Sequence, residues 1–174
     1  DEEEVRKSII RKIKWEENGF LVAGDAENGE DALEKIELLE PDLILTDIRM
    51  PYMDGLTLAE RVRQKYPSMK IVIFSGYDDF EYAKQAIKLN VTEYILKPVN
   101  VEELTAILQK IKANLDQEIE QKRNVNLLRE NYIKSLPILR EQFLNELVNA
   151  PIAYETVQTR LKEYGISLSG AQKW

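Results

Sequence analysis

The chain contains no cysteine and no histidine. Without cysteine there is no disulfide framework, and the composition fits residence in the cytoplasm. Without histidine, Ser-His-Asp and Cys-His catalysis are excluded, and so are imidazole metal ligation and any phosphohistidine role. No apolar run approaches the roughly 20 residues of a membrane-spanning helix, and no secretory leader pattern is visible. Basic residues are outnumbered, 24 Lys and Arg against 31 Asp and Glu, for a net charge of -7 and a pI of about 4.9. A nucleic-acid backbone or an anionic membrane demands basic patches, so neither is an expected partner of these residues. What remains is a 174-residue chain, 44% hydrophobic and 32% charged, long enough for one ordinary core plus an appendage. It opens on Asp1-Glu2-Glu3-Glu4 with no preceding methionine, which reads as a fragment.

Val5, Ile9, Ile10 and Ile13 have helical spacing, with acids in the first turn where the helix dipole favours them. Phe20 to Gly24 reads as a short strand. Asn28-Gly29 opens a second helix, about Glu30 to Leu39, and Asp42 to Thr46 is an unbroken apolar strand of the kind covered on both faces. A helix over Leu56 to Lys65, a strand over Lys70 to Phe74, a helix over Asp79 to Leu89 closed by Asn90, and a strand over Glu93 to Leu96 follow. Asn100 is the expected N-cap of a fifth helix. Helices alternating with strands imply an α/β fold with a doubly wound parallel sheet, whose ligands bind beyond the carboxyl ends of the strands.

After residue 104 the pattern changes. Leu104, Leu108, Ile111 and Leu115 keep a four-three-four spacing, and Ile119, Val125, Leu128 and Tyr132 continue it, with an interruption near Lys122. With a charged opposite face, this stripe reads as a coiled-coil-like dimer seam on a long helix rather than as core. Pro137 is expected to end that helix or to open the next one. Leu139, Phe143, Leu144 and Leu147 form an amphipathic stripe stopped by Ala150-Pro151, and Tyr154 to Tyr164 reads as a last helix closed by Gly165. The expected organisation is residues 1–115 as the α/β domain, 116–135 as a long helical linker and possible coiled coil, and 136–174 as a further helical linker region.

Three strand ends carry chemistry. Asp47 closes Leu43-Ile44-Leu45-Thr46-Asp47, Ser75 closes the next apolar strand before Gly76, and Lys97 closes the last before Pro98. Each residue alone has a plain reading: a solvated carboxylate, a turn serine, a surface lysine. Together they make a site for phosphoryl transfer to a carboxylate. Such transfer needs an exposed nucleophile, a divalent cation and fixed positive charge on the phosphoryl oxygens. Asp47 is the nucleophile, Lys97 the cation, and Ser75 a hydroxyl donor to the product. Mg²⁺ prefers one or two carboxylates plus waters, and Asp1, with Glu2 as a weaker candidate, could stand beside Asp47. Pro98 holds the Lys97 turn, with a cis peptide as one way to do so. Asp54 reads as a turn residue with Gly55.

These residues resemble the receiver domain of two-component response regulators. The resemblance rests on Asp1-Glu2, on Thr46-Asp47-Ile48-Arg49-Met50-Pro51-Tyr52-Met53-Asp54-Gly55, on Phe74-Ser75-Gly76-Tyr77 and on Tyr94-Ile95-Leu96-Lys97-Pro98. It covers about Asp1 to Leu115. It implies that Asp47 takes a phosphoryl group from a sensor histidine kinase. It implies that Mg²⁺ is bound by Asp1, Asp47 and the backbone carbonyl of Arg49. Ser75 would be the switch hydroxyl, and Tyr94 the switch aromatic whose rotamer reports phosphorylation to the face of the fourth helix, fifth strand and fifth helix. Gly76 would leave access to Asp47, while Arg49 and Tyr77 would occupy positions that tune loss of the phosphoryl group. Family members begin with an apolar strand ending in two acids, and here that first strand and first acid are missing. The region from Asp116, Leu136 to Leu144 above all, resembles more loosely the helical linker of receivers that carry an AraC-type helix-turn-helix output. The expected function is therefore a phospho-accepting switch, too acidic to bind DNA itself, that changes conformation or self-association as a homodimer to control a transcriptional output missing from this chain.

Two other classes compete. A haloacid-dehalogenase-type phosphatase also uses a strand-end Asp, but its general acid stands two residues later, where this chain has Arg49. A phosphorylation-independent interaction module would rely on the stripe from Leu104 to Tyr132 alone.

Overall fold

The computed structural model describes residues 3–76, 80–149 and 151–167. Their strands are β1 (Leu43–Asp47), β2 (Lys70–Ser75) and β3 (Glu93–Leu96), and their helices are α1 (Glu3–Lys12), α2 (Gly29–Leu39), α3 (Gly55–Lys65), α4 (Phe80–Lys88), α5 (Val101–Asn149) and α6 (Tyr154–Glu163). The chain divides into two compact units, Asp1–Asp116 and Gln117–Trp174, and α5 contributes to both.

In the first unit the strands form one parallel sheet in the order β1-β2-β3. β2 lies in the middle and is buried from Ile71 to Ser75, as its uninterrupted apolar sequence requires of a strand covered on both faces. Side chains alternate across a strand, so the two faces carry different cores. On one face Ile71 and Ile73 pack with Ile36 of α2, with Leu56, Ala59 and Val62 of α3, and with Ala86 of α4. On the other, Val72, Phe74 and Ile95 pack with Ile13 after α1 and with Leu104, Leu108 and Ile111 of α5. Burial of each such aliphatic side chain contributes about 1.5–3 kcal/mol. Helices therefore cover both sides of a parallel sheet, the doubly wound α/β architecture expected from the alternation.

Local signals set the helix starts. The Asn28 side chain accepts from the backbone N–H groups of Glu30 and Asp31, and Asn100 accepts from Glu102 at 2.9 Å. Asp54, read from sequence as a turn residue, is the N-cap of α3 and accepts from the Thr57 N–H at 2.7 Å. Each such cap is worth about 1 kcal/mol.

Three expectations are corrected. Residues 20–24 are not a strand: a strand needs a paired neighbour, none of the described strands pairs with this segment, and Leu21 is 81% exposed. Leu104, Leu108 and Ile111 are not a dimer seam. They are at most 1% exposed and form the core beneath β2 and β3, with Leu115 packed against it. A three-four spacing marks an apolar face without saying what covers it. Pro137 neither ends α5 nor opens another helix, but lies inside it. A proline there loses one backbone hydrogen bond, yet its fixed φ is helical, and the following turns are held by packing on α6.

That packing defines the second unit. Phe143 is 2% exposed and meets Tyr164 edge-on at 5.8 Å. The Arg160 guanidinium stands 5.8 Å from the Phe143 ring centroid and pairs with Glu146 at 2.7 Å, while Arg140 Nε donates to the Tyr164 carbonyl at 2.7 Å.

Candidate functional site

Parallel register brings the strand ends to one edge of the sheet. Asp47 pairs with Phe74, and Ser75 with Leu96. Beyond the last pairs the chains stay tied: the Ile48 N–H donates to the Phe74 carbonyl at 3.0 Å, and the Lys97 N–H to the Ser75 carbonyl at 2.7 Å. The Lys97–Pro98 peptide is cis. From this turn Lys97 Nζ reaches Asp47 Oδ2 at 2.8 Å, a charge-assisted hydrogen bond linking residues fifty apart in sequence. The Asp47 side chain is 13% exposed and that of Lys97 26%, so the pair sits at the mouth of the sheet, partly screened from water and still open to it.

Strand alternation sorts the remaining residues. Asp47 follows Leu45 with a two-residue period, on the face packed by α5, and Lys97 follows Ile95 on the same face. Ser75 follows Ile71 and Ile73 on the opposite face, where Tyr94 packs against the same cluster. Ser75 is 1% exposed. The Tyr94 hydroxyl is buried with no hydrogen-bond partner among the described residues.

Of the predicted residues, Asp47 and Lys97 are in direct contact and Ser75 is tied to Lys97 through the backbone. Arg49 lies exposed in the loop two residues beyond Asp47. A Cβ built on Gly76 would meet no heavy atom within 4 Å, so a small residue leaves open space there. Asp1, Glu2 and Tyr77 lie outside the described residues. Among the described residues no group of three or more acidic side chains could hold a metal ion. Among the described residues the oxygen donor at the site that fits a hard divalent ion is the Asp47 carboxylate, one of whose oxygens already accepts from Lys97. That donor set suits Mg²⁺, which takes one or two carboxylates and keeps several waters.

Two residues at the site were not singled out from sequence. Gly55 is required by close approach: a Cβ there would fall 2.0 Å from the Asp47 carbonyl oxygen. Its N–H donates to the Ile48 carbonyl at 2.8 Å, drawing the start of α3 against the end of β1. The signal was the Asp54-Gly55 pair, which reads equally as an ordinary turn. Thr46 is buried, and its hydroxyl donates to the Asp47 carbonyl at 3.1 Å. It looked like one more member of an apolar run.

Residues 1–109 match a family model described as "Response regulator receiver domain". The transcriptional regulatory protein YesN of Bacillus subtilis, itself described as uncharacterized, is 37% identical over 150 residues, which cover 85% of this chain and 40% of that protein. The transcriptional regulatory protein HptR of Staphylococcus aureus is 32% identical over 149 residues, covering 86% of this chain and 58% of that one. The chain thus spans about half the length of the curated relatives it matches. Among solved structures, the REC domain of AraT, a response regulator from Geobacillus stearothermophilus, aligns with a TM-score of 0.64 at 40% identity, covering 68% of this chain and 92% of that one. A two-component transcriptional regulator AraC from Clostridium phytofermentans aligns with a TM-score of 0.61 at 30% identity, covering 70% of this chain and 93% of that one.

Proposed function

We propose that this chain, which belongs to the response regulator receiver family, accepts a phosphoryl group on Asp47 from a sensor histidine kinase. The observation that carries the reading is the 2.8 Å contact between Lys97 Nζ and Asp47 Oδ2 at the carboxyl edge of a parallel sheet. A carboxylate oxygen attacks phosphorus, the bond from phosphorus to the donor imidazole breaks, and an acyl phosphate forms. The phosphoryl group adds about two negative charges, and the Lys97 ammonium is already in place to meet part of them. Mg²⁺, held by Asp47, the Arg49 carbonyl and Asp1, would neutralise phosphoryl oxygens. Ser75 would donate to the phosphorylated form. The chain is a substrate and switch rather than a turnover enzyme, its only chemistry being gain and loss of the group on Asp47.

Tyr94 supports a two-state device. A hydroxyl buried without a partner costs about 1–3 kcal/mol, which lowers the cost of turning Tyr94 outward to where its hydroxyl meets water. Repositioning of Ser75 towards a phosphoryl group would then shift that balance. The output is self-association as a homodimer, with transcriptional control residing in the longer protein. The net charge of -7 disfavours DNA binding by these residues. No described helix is long and apolar enough to cross a membrane.

The test is intact mass after incubation with acetyl phosphate and Mg²⁺. A single phosphoryl adduct on the parent protein, absent from Asp47→Asn, is expected. No adduct on a folded sample refutes the reading and favours an interaction module that works without phosphorylation.

A further inference from the structure

Among the described residues two polar side chains are buried, Thr46 at 6% and Ser75 at 1% exposure. Ser75 closes β2 at the site, and Thr46 stands one residue before Asp47 on β1. Strand alternation turns Thr46 to the face opposite Asp47. There it is level with Ile73 on β2, beside the apolar cluster that Ile44, Ile71 and Ile73 share. Valine would fill the same space with no hydroxyl to bury. A buried hydroxyl is tolerated when it has a hydrogen-bond partner, so what this one holds matters.

The Thr46 hydroxyl donates to the Asp47 carbonyl at 3.1 Å and lies 3.5 Å from the Met50 sulfur. It has one proton, and a thioether is a weak acceptor, so the carbonyl is the better partner. Peptide groups alternate in direction along a strand. The Ile48 N–H turns towards β2, where it donates to the Phe74 carbonyl. The Asp47 carbonyl therefore turns away from β2, to the side of β1 on which no described strand pairs. The start of α3 closes on the same oxygen, since a Cβ on Gly55 would fall 2.0 Å from it. A hydrogen bond and a close contact thus fix the peptide that follows Asp47.

We infer that Thr46 is a positioning residue for phosphoryl transfer: by holding the Asp47 carbonyl, its hydroxyl sets the direction in which the Asp47 carboxylate leaves the strand. The inference rests on the phospho-acceptor reading above and adds a residue to it. One Asp47 oxygen accepts from Lys97 Nζ at 2.8 Å, which leaves the other to meet phosphorus. The direction of the Asp47 Cα–Cβ bond depends on the peptides on either side of it. Rotation of the second peptide swings the carboxylate and spoils the approach to phosphorus, while the apolar core stays as it was. Transfer that relies on positioning is sensitive to such a displacement. Thr46 lies on the other face from Lys97 and acts through the Asp47 backbone alone.

The experiment compares Thr46→Val and Thr46→Ser with the parent in two readouts. One is the maximal rate of phosphoryl uptake, by intact mass at saturating acetyl phosphate and Mg²⁺. The other is the urea midpoint, by far-UV circular dichroism. Valine keeps the branched shape in an apolar setting, so its midpoint should equal or exceed the parental one. Its uptake should nevertheless slow about fivefold, roughly what one neutral hydrogen bond contributes. Serine keeps the hydroxyl and loses the methyl group, so its midpoint should fall while most of the parental rate returns. A threonine that only fills space would not give this crossed pattern. Thr46→Val at the parental rate, or Thr46→Ser as slow as Thr46→Val, overturns the inference and leaves Asp47 as the acceptor. Rates that fall in step with the midpoints across both variants overturn it as well. A folded parent that takes up no phosphoryl group overturns the acceptor reading, and the inference with it.

Discussion

Arg63, in the last turn of α3, donates to four backbone carbonyls. Its Nε reaches Leu89 at 3.2 Å, Nη1 reaches Pro67 at 2.5 Å and Met69 at 3.1 Å, and Nη2 reaches Asn90 at 2.8 Å. Pro67 and Met69 belong to the connection from α3 to β2, while Leu89 and Asn90 close α4, Asn90 in the left-handed region at φ 51°. One guanidinium thus joins two loops to the end of α3. The Leu89 and Met69 bonds are part-buried and the other two exposed. At about 1 kcal/mol for a part-buried bond and half that for an exposed one, Arg63→Ala should cost roughly 3 kcal/mol. Lysine keeps the charge but offers a single point donor in place of a planar fork, so Arg63→Lys should recover less than half of the loss. The partners are carbonyls, not carboxylates, and added salt should leave the difference nearly intact. Urea unfolding followed by far-UV circular dichroism measures it. A loss below about 1 kcal/mol for alanine, or a lysine variant as stable as the parent, would refute the claim that directional bonding at Arg63 holds these loops.

Gly55→Ala places a Cβ 2.0 Å from the Asp47 carbonyl oxygen and must displace the start of α3; stability should fall by at least about 1–3 kcal/mol and phosphoryl uptake should slow, whereas Gly76→Ala, with nothing within 4 Å, should keep the fold within about 0.5 kcal/mol. Uptake by Gly55→Ala at the parental rate would sink the close-approach argument. The Asp31 carboxyl is held below the ordinary carboxylate range, first by the Lys35 ammonium and then by the Glu27 backbone N–H. Its pKa is depressed in the folded state, so the unfolded chain binds the extra proton. The contribution is therefore complete above the ordinary carboxylate range and is lost as pH falls through the folded value. Asp31→Asn should flatten the acid limb of a stability-versus-pH curve and leave its neutral part sloping as before; an unchanged acid limb would count against this.

Legibility in the sequence followed the physics of each signal. β2 was readable because a strand buried on both faces is continuously apolar, and β1, only partly buried, because it is apolar up to its last residues; their carboxyl ends marked themselves with Asp47 and Ser75. Caps at Asn28 and Asn100 were readable because N-cap chemistry is local. Residues 20–24 were misread because an apolar pentapeptide carries no information about whether a partner strand lies beside it. Gly55 was missed for a related reason, since the need for a missing side chain comes from the Asp47 carbonyl above it, which only the folded chain brings there.

α5 shows the limit most clearly. Its four-three spacing runs in one phase from Leu104 to Tyr132, yet Leu108 is 0% exposed against the sheet and Val125 is 63% exposed. Periodicity fixes a helix and its apolar face, and both parts of the stripe share these. What differs is the second surface: β2 and β3 supply it for Leu104 to Ile111, whereas every residue from Ile119 to Lys134 is exposed. The polar layers discriminate where spacing does not. Glu118, Lys122 and Arg129 fall where Leu104, Leu108 and Ile111 fall earlier in the same phase, and charges at seam positions are tolerated only opposite water or opposite charge. A stripe that turns from apolar to charged without changing phase has passed from the interior of its own domain to a surface whose cover, if it has one, must bring complementary charge.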